Sequence, residues 1–161
     1  MNLAVLAERN VERFGEYQSL IFEDRVLTNT GQLGDAHRFA NVLSRLGVVP
    51  GDRVAVMLPN CPEVFTAYGG ATAVGAVSVP IVFLLAIPEV AHILADSRPK
   101  ILVTGPELLG TSQMAVQGLS DAPAIIVTGA DVPGDVLSFE ALMADASQEF
   151  ALADRDDEDL A

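Results

Sequence analysis

The sequence predicts an α/β fold: a mostly parallel sheet sandwiched between helices, opened by a short N-terminal hairpin. Three observations carry this prediction. Apolar runs begin at Val54, Val77, Ile101 and Ile125, at intervals of 23, 24 and 24 residues, the pitch of successive strand–helix units. The first run, Val54 to Leu58, is continuously apolar, as a parallel strand covered on both faces should be. The stretch from Pro50 to Pro80 then reads as turn, buried strand, capped helix and second strand, one right-handed βαβ crossover.

Taken in order, Leu3, Leu6, Ala7, Val11 and Phe14 share one helical stripe and predict an amphipathic opening helix. Ser19 to Phe22 and Arg25 to Leu27 flank Glu23-Asp24 and predict the hairpin. Thr28 or Thr30 caps a helix whose buried side carries Leu33, Ala36, Ala40 and Leu43, and Gly47 ends it. Pro50-Gly51 suits the centre of a type II turn. Asn60 is placed to cap the next helix, with Glu63 reaching back and Pro62 in the first turn. Val64, Tyr68, Ala71 and Val74 form its buried face, Gly75 stops it, and Ala76 to Val79 is the second strand.

Val82 to Ala86 is apolar without a clear period and receives no assignment. Pro88 starts a helix with Val90, Ala91 and Leu94 inward, finished by Pro99. A strand at Ile101 to Val103, a weaker helix on Leu108, Ser112, Ala115, Val116 and Leu119, and a strand at Ala124 to Val127 follow. Ser138 caps a short helix through Met143. Residues 1–150 are thus one domain, and 151–161, with Asp154 to Asp159 reading DRDDED, are an acidic tail expected to be mobile.

Composition narrows the function classes. Half of the 161 residues are hydrophobic, enough for a real core. A net charge of −13 argues against nucleic acid or an anionic membrane as a partner, though a nucleotide needs only a few local N–H donors. No apolar run approaches the ~20 residues of a membrane span, and Met1 to Arg13 lacks a signal-peptide core, so a cytoplasmic location is expected. Cys61, the single cysteine, allows no internal disulfide and no thiolate metal cluster.

Candidate chemistry is sparse. Gly70 to Gly75 imitates the glycine spacing of a phosphate loop, but Ala76-Val77 replaces the required Lys-Ser/Thr. Its small residues are expected to let helix and sheet approach closely. Gly105 to Ser112 follows a strand and precedes a helix, yet it lacks the lysine. Pro106 removes a donor there, and Glu107 adds negative charge, so a plain strand-to-helix turn is expected. Cys61 sits where a helix dipole could activate a thiol, but neither His37 nor His92 is brought to it by the sequence, and a packing role is expected. Both histidines are read as surface or boundary residues. No catalytic, cofactor-binding or metal-binding residue is assigned to this chain.

The order of motifs nevertheless resembles a family. Leu27-Thr28, Leu43, Leu46-Gly47, Gly51-Asp52-Arg53-Val54 and Leu58-Pro59-Asn60 come first. Gly75-Ala76-Val77, Val79-Pro80, Pro88-Glu89, Ile93-Leu94 and Asp96-Ser97 follow. Together, over about a hundred residues, they resemble the adenylate-forming (AMP-binding) acyl-CoA synthetases, the fatty-acid–CoA ligases among them. Thr28-Asn29-Thr30-Gly31-Gln32 departs from the family's usual Thr-Tyr-x-Glu-Leu, and His37 stands where asparagine is common. The resemblance implies an N-terminal scaffold portion of an enzyme that activates a carboxylic, expectedly fatty, acid with ATP and Mg²⁺ and transfers it to coenzyme A. The lysine-bearing phosphate loop and the catalytic portion would lie beyond the acidic stretch. No cofactor is then expected in this chain itself. The implied partner is that catalytic portion, and the apolar surface left for it predicts a homo-oligomer of the isolated chain. A stand-alone non-catalytic interaction module, or a small nucleotide-binding α/β domain using the Gly105 turn, are the alternatives.

Overall fold

A computed structural model describes residues 2–129, 133–134, 136–155 and 158–159. Its elements run α1 (Val5–Phe14), β1 (Gln18–Phe22), β2 (Arg25–Thr28), α2 (Asn29–Arg45), β3 (Arg53–Met57), α3 (Pro62–Ala73) and β4 (Val77–Pro80). They continue as α4 (Ile87–Ser97), β5 (Ile101–Thr104), a 3₁₀ turn (Pro106–Leu108), α5 (Leu109–Val116), β6 (Ala124–Val127), β7 (Leu137–Ser138) and α6 (Phe139–Ala144). The class is α/β, as expected. β3 to β7 form a parallel sheet in the order β4-β3-β5-β6-β7, and β1 and β2 form a separate antiparallel pair.

The continuous apolar runs are explained by two cores. Val54, Val56, Ile101 and Val103 point to one face of the sheet, where Phe39, Val42 and Leu43 of α2, Ala67 and Ala71 of α3, and Phe139 of α6 cover them. The alternate residues Ala55, Met57 and Leu102 point to the other face, under Val90 and Leu94 of α4 and Ala115 of α5. Each side chain of the strand therefore finds a helix.

Local chemistry sets the ends of the elements. Gly51 at φ 88° and the Asp52 N–H to Val49 O bond of 3.0 Å make the type II turn before β3. Asp52 also accepts from Val49 N–H at 2.9 Å, and Lys100 reaches both Asp52 (3.2 Å) and the Gly47 carbonyl. Burial opposes the ionised Asp52, but these hydrogen bonds prevail and hold its pKa below the ordinary value. Arg53 donates to the Ser97 and Arg98 carbonyls, at 2.8 Å each, and so ties the end of α4 to the start of β3. The Gly51-Asp52-Arg53 motif is a clamp on the sheet's N-terminal edge. Thr28 and Ser138 cap α2 and α6 as read from the sequence.

Several expectations are corrected. Asn60 does not cap α3: Cys61 occupies that position with extended backbone (φ −153°) and no side-chain bond. Pro62 drives the preceding residue out of the helical region, which moves the boundary one residue on. Glu63 turns away to Arg25, 2.8 Å distant. The small residues of α3 serve two approaches: Ala67 and Ala71 lie over the sheet, as expected, whereas Gly69 and Gly70 face α2. A Cβ on Gly69 or Gly70 would lie 2.7 Å from Ala36 or 2.8 Å from Phe39 of α2. Val82 to Leu84, left unassigned, is an exposed loop, and the two-residue β7 was too short to signal itself.

α1 forms, but none of its residues is buried, and Leu3, Leu6 and Phe14 stay exposed. Residues 142–153 run back over the domain as a strap. Arg45 takes the Leu142 carbonyl, Asn41 those of Ser147 and Glu149, and His37 Nδ1 lies 3.0 Å from the Gln148 carbonyl. Ala153 N–H reaches Ala73 O at 3.0 Å, so chain beyond residue 150 is still held to the domain. Asp156 and Asp157 of the acidic run lie outside the described residues.

Candidate functional site

β3 is followed by β4 on one side of it and, after a crossover, by β5 on the other. In an open α/β sheet such a reversal leaves a crevice at the carboxyl ends of the strands, the usual place for a ligand. A cavity of about 290 Å³ lies there. Leu58, Pro59 and Cys61 follow β3, Pro106 and Glu107 follow β5, Thr128 and Gly129 follow β6, and Glu63 and Glu140 complete the wall. Behind it Ser112 Oγ stands 3.1 Å from Thr104 Oγ1, both fully buried, which fixes α5 to the end of β5.

The structure thus brings together two features that the sequence left apart, Cys61 and the Gly105 turn. It brings neither histidine with them. His92 is exposed on α4, and His37 is buried beneath the strap, more deeply than a surface reading allows. Its Nε2 faces Glu8 at 3.7 Å. Glu140, Thr128 and Gly129 were missed; each adjoins a strand end or opens a helix, so strand boundaries were the only available signal.

Electrostatically the crevice is an acceptor site. The Glu107 carboxylate folds over Gly105, where an added Cβ would meet its oxygens at 2.7 and 2.9 Å. Glu140 accepts the Gly129 N–H at 2.8 Å. The donors that could cradle a phosphate are therefore faced or taken by the chain's own carboxylates. Glu63 stays ionised: burial opposes its charge, but the Arg25 hydrogen bond and charge outweigh that and lower its pKa. Burial, then the hydrogen bond and charge of Glu63, push the Cys61 thiol up to about 11, leaving it protonated and unreactive at neutral pH. These residues do not fit a nucleotide triphosphate. Among the described residues, no group of three or more His, Cys, Asp or Glu is arranged to hold a metal ion.

Beyond Glu63 and Glu140 lies a second cavity of about 290 Å³ between the hairpin, α2 and α6. Arg25, Asp35 and Arg38 line it, and burial raises the Asp35 pKa despite the nearby Arg38. No described helix is long and apolar enough to cross a membrane.

A mostly parallel five-stranded sheet between helices, with a small antiparallel hairpin packed beside α2, is the fold of adenylate-forming enzymes. The AMP-binding enzyme family matches residues 7–161, and the chain belongs to that family. It is 41% identical over 98 residues to the long-chain-fatty-acid–CoA ligase FadD13 of Mycobacterium tuberculosis, covering 60% of this chain and 19% of that protein. It is 33% identical over 140 residues to a crotonobetaine/carnitine–CoA ligase of Salmonella paratyphi A, covering 83% and 27%. Among solved structures, the anthranilate–CoA ligase AuaEII, in complex with anthranoyl-AMP, superposes with a TM-score of 0.94 at 28% identity, covering 99% of this chain and 31% of that one. The N-terminal domain of FACL13 from Mycobacterium tuberculosis gives 0.81 at 28% identity, covering 99% and 40%. The chain spans about a fifth to two-fifths of these proteins and corresponds to the family's N-terminal portion.

Proposed function

We propose that this chain is the N-terminal scaffold of an acid–CoA ligase, which uses ATP and Mg²⁺ to convert a carboxylic acid to its acyl-adenylate and passes the acyl group to coenzyme A. The observation that supports this is the match to the family over residues 7–161, with acid–CoA ligases as relatives. The 41% identity to a long-chain-fatty-acid–CoA ligase supports a fatty acid as substrate, and an equal 41% identity to a feruloyl-CoA synthase makes an aromatic acid the second reading. The chain's own part is to hold the sheet-and-helix platform. Its catalytic groups would come from the remaining polypeptide, and without that polypeptide its uncovered apolar surface drives self-association.

Acid-dependent ATP–pyrophosphate exchange tests the reading. The isolated chain, with carboxylates where developing phosphate charge needs donors, is expected to show none. The ligase completed by the rest of the fold is expected to exchange with long-chain acids in preference to benzoates. Exchange by the isolated chain, or none by the completed ligase with any acid, would refute the proposal.

A further inference from the structure

His37 joins three elements. It lies on α2, is only 8% exposed, and turns its two ring nitrogens toward α1 and the strap. Nδ1 stands 3.0 Å from the Gln148 carbonyl of the strap. A carbonyl oxygen only accepts, so Nδ1 carries a hydrogen and donates it. In the neutral ring that leaves Nε2 as a bare lone pair. Nε2 is buried, has no hydrogen-bond partner among the described residues, and faces the Glu8 carboxylate of α1 at 3.7 Å. Two acceptors so placed repel, and a buried acceptor without a donor is unfavourable. A proton on Nε2 removes both defects at once: it supplies the donor and makes the contact an ion pair.

Glu8 is the ionisable side chain placed to answer that proton. From the strap come the Gln148 carbonyl, the Gln148 amide packed over Gly34, and the Phe150 ring 6.5 Å from the imidazole. Glu149, the strap's charged residue at this point, is exposed. On α2 itself Asn41 donates to the Ser147 and Glu149 carbonyls, while Asp35 and Arg38 line the cavity beside the hairpin. α1 has little else to hold it. None of its residues is buried, and the bonds that Asn29 and Tyr17 give to Asn10 are neutral.

We infer that His37 is a proton-operated latch: uncharged it holds the strap alone, and protonated it grips α1 as well, through Glu8. The window follows from ordinary ionisation. Histidines take up their proton as pH falls through about 6.5, and glutamates stay ionised down to about 4.3. α1 is therefore gripped between those limits and released on either side of them. The latch does not depend on the ligase reading.

Ring ¹⁵N spectra of the full chain, together with amide exchange of Val5–Phe14 corrected for its intrinsic pH dependence, test the latch. At about pH 8 the His37 ring should show the Nδ1–H tautomer, with the exposed His92 as reference. On going to about pH 5.5, protection of the α1 amides relative to those of the sheet should rise about three- to tenfold, as a partly exposed charged contact allows. His37→Asn keeps a donor for the Gln148 carbonyl but does not titrate, and Glu8→Gln removes the charge at nearly constant shape. Both should abolish the rise, and thermal melting confirms that they fold. Three results would overturn the latch: an Nε2–H tautomer at the higher pH, α1 protection in the native chain that ignores pH, or a rise of the same size in either variant.

Discussion

The five-stranded sheet and the hairpin use the same residue types and reach opposite ends of the burial scale. Val54, Ala55 and Leu102 are fully buried because a helix faces each side of their strand, whereas Ile21 and Val26 stand half or more exposed because theirs has one neighbour. The difference teaches that an apolar strand is buried only as far as other layers pack on it. The five-stranded sheet is covered on both faces, and the hairpin on one.

Substitutions should separate the two regions by size of effect. Phe39, fully buried on one sheet face and 5.1 Å from the Phe139 ring, should cost about 3–5 kcal/mol when changed to Ala. Leu102→Ala on the opposite face should cost about 2–5 kcal/mol, and equal severity on both faces is what a twice-covered sheet requires. Denaturant melts measure both. A mild effect at Leu102 would mean that α4 and α5 do not close that side.

Cys61 probes the crevice edge of the same sheet. With its pKa at about 11 against an ordinary 9.0, its alkylation at pH 7 should be roughly a hundredfold slower than that of a free thiol and should climb steadily through pH 10. Cys61→Ala should leave the fold intact. Fast labelling at neutral pH would reveal an activated thiolate and an overlooked function.

Arg25 joins the two regions through Glu63. Because the folded-state pKa of Glu63 is lowered, its contribution is present above the unfolded value of about 4.3 and is lost as pH falls through the folded one. Arg25→Ala should therefore cost about 1 kcal/mol or less at pH 7, as Arg25 is half exposed, and should flatten stability loss in that acid range. An unchanged acid limb would show that the pair does not hold the hairpin. Smallest of all, Ile21→Lys should move the stability of the isolated chain by no more than about 0.5 kcal/mol.

Much of this was legible beforehand. The spacing of apolar runs located β3 to β6, and Thr28 and Ser138 announced their caps, because these signals are local. Asn60 misled because Pro62, two residues on, decides where α3 can begin. The closeness of α2 and α3 at Gly69 and Gly70 was not legible, since glycine says that something approaches and not what. The crevice was the least readable part. Glu63, Glu107 and Glu140 are scattered in sequence and meet only through strand order, which no single segment encodes. The stripe on α1 predicted a helix correctly but implied a burial that these residues do not supply.

Native-state hydrogen exchange is the most direct test that one sheet is covered on both faces and the other on one. Amides of Val54–Met57 and Leu102–Thr104 are expected to exchange only with global unfolding, and those of Gln18–Phe22 and Arg25–Thr28 orders of magnitude faster through local opening. Hairpin amides as protected as the sheet in the isolated, monomeric chain would contradict the account.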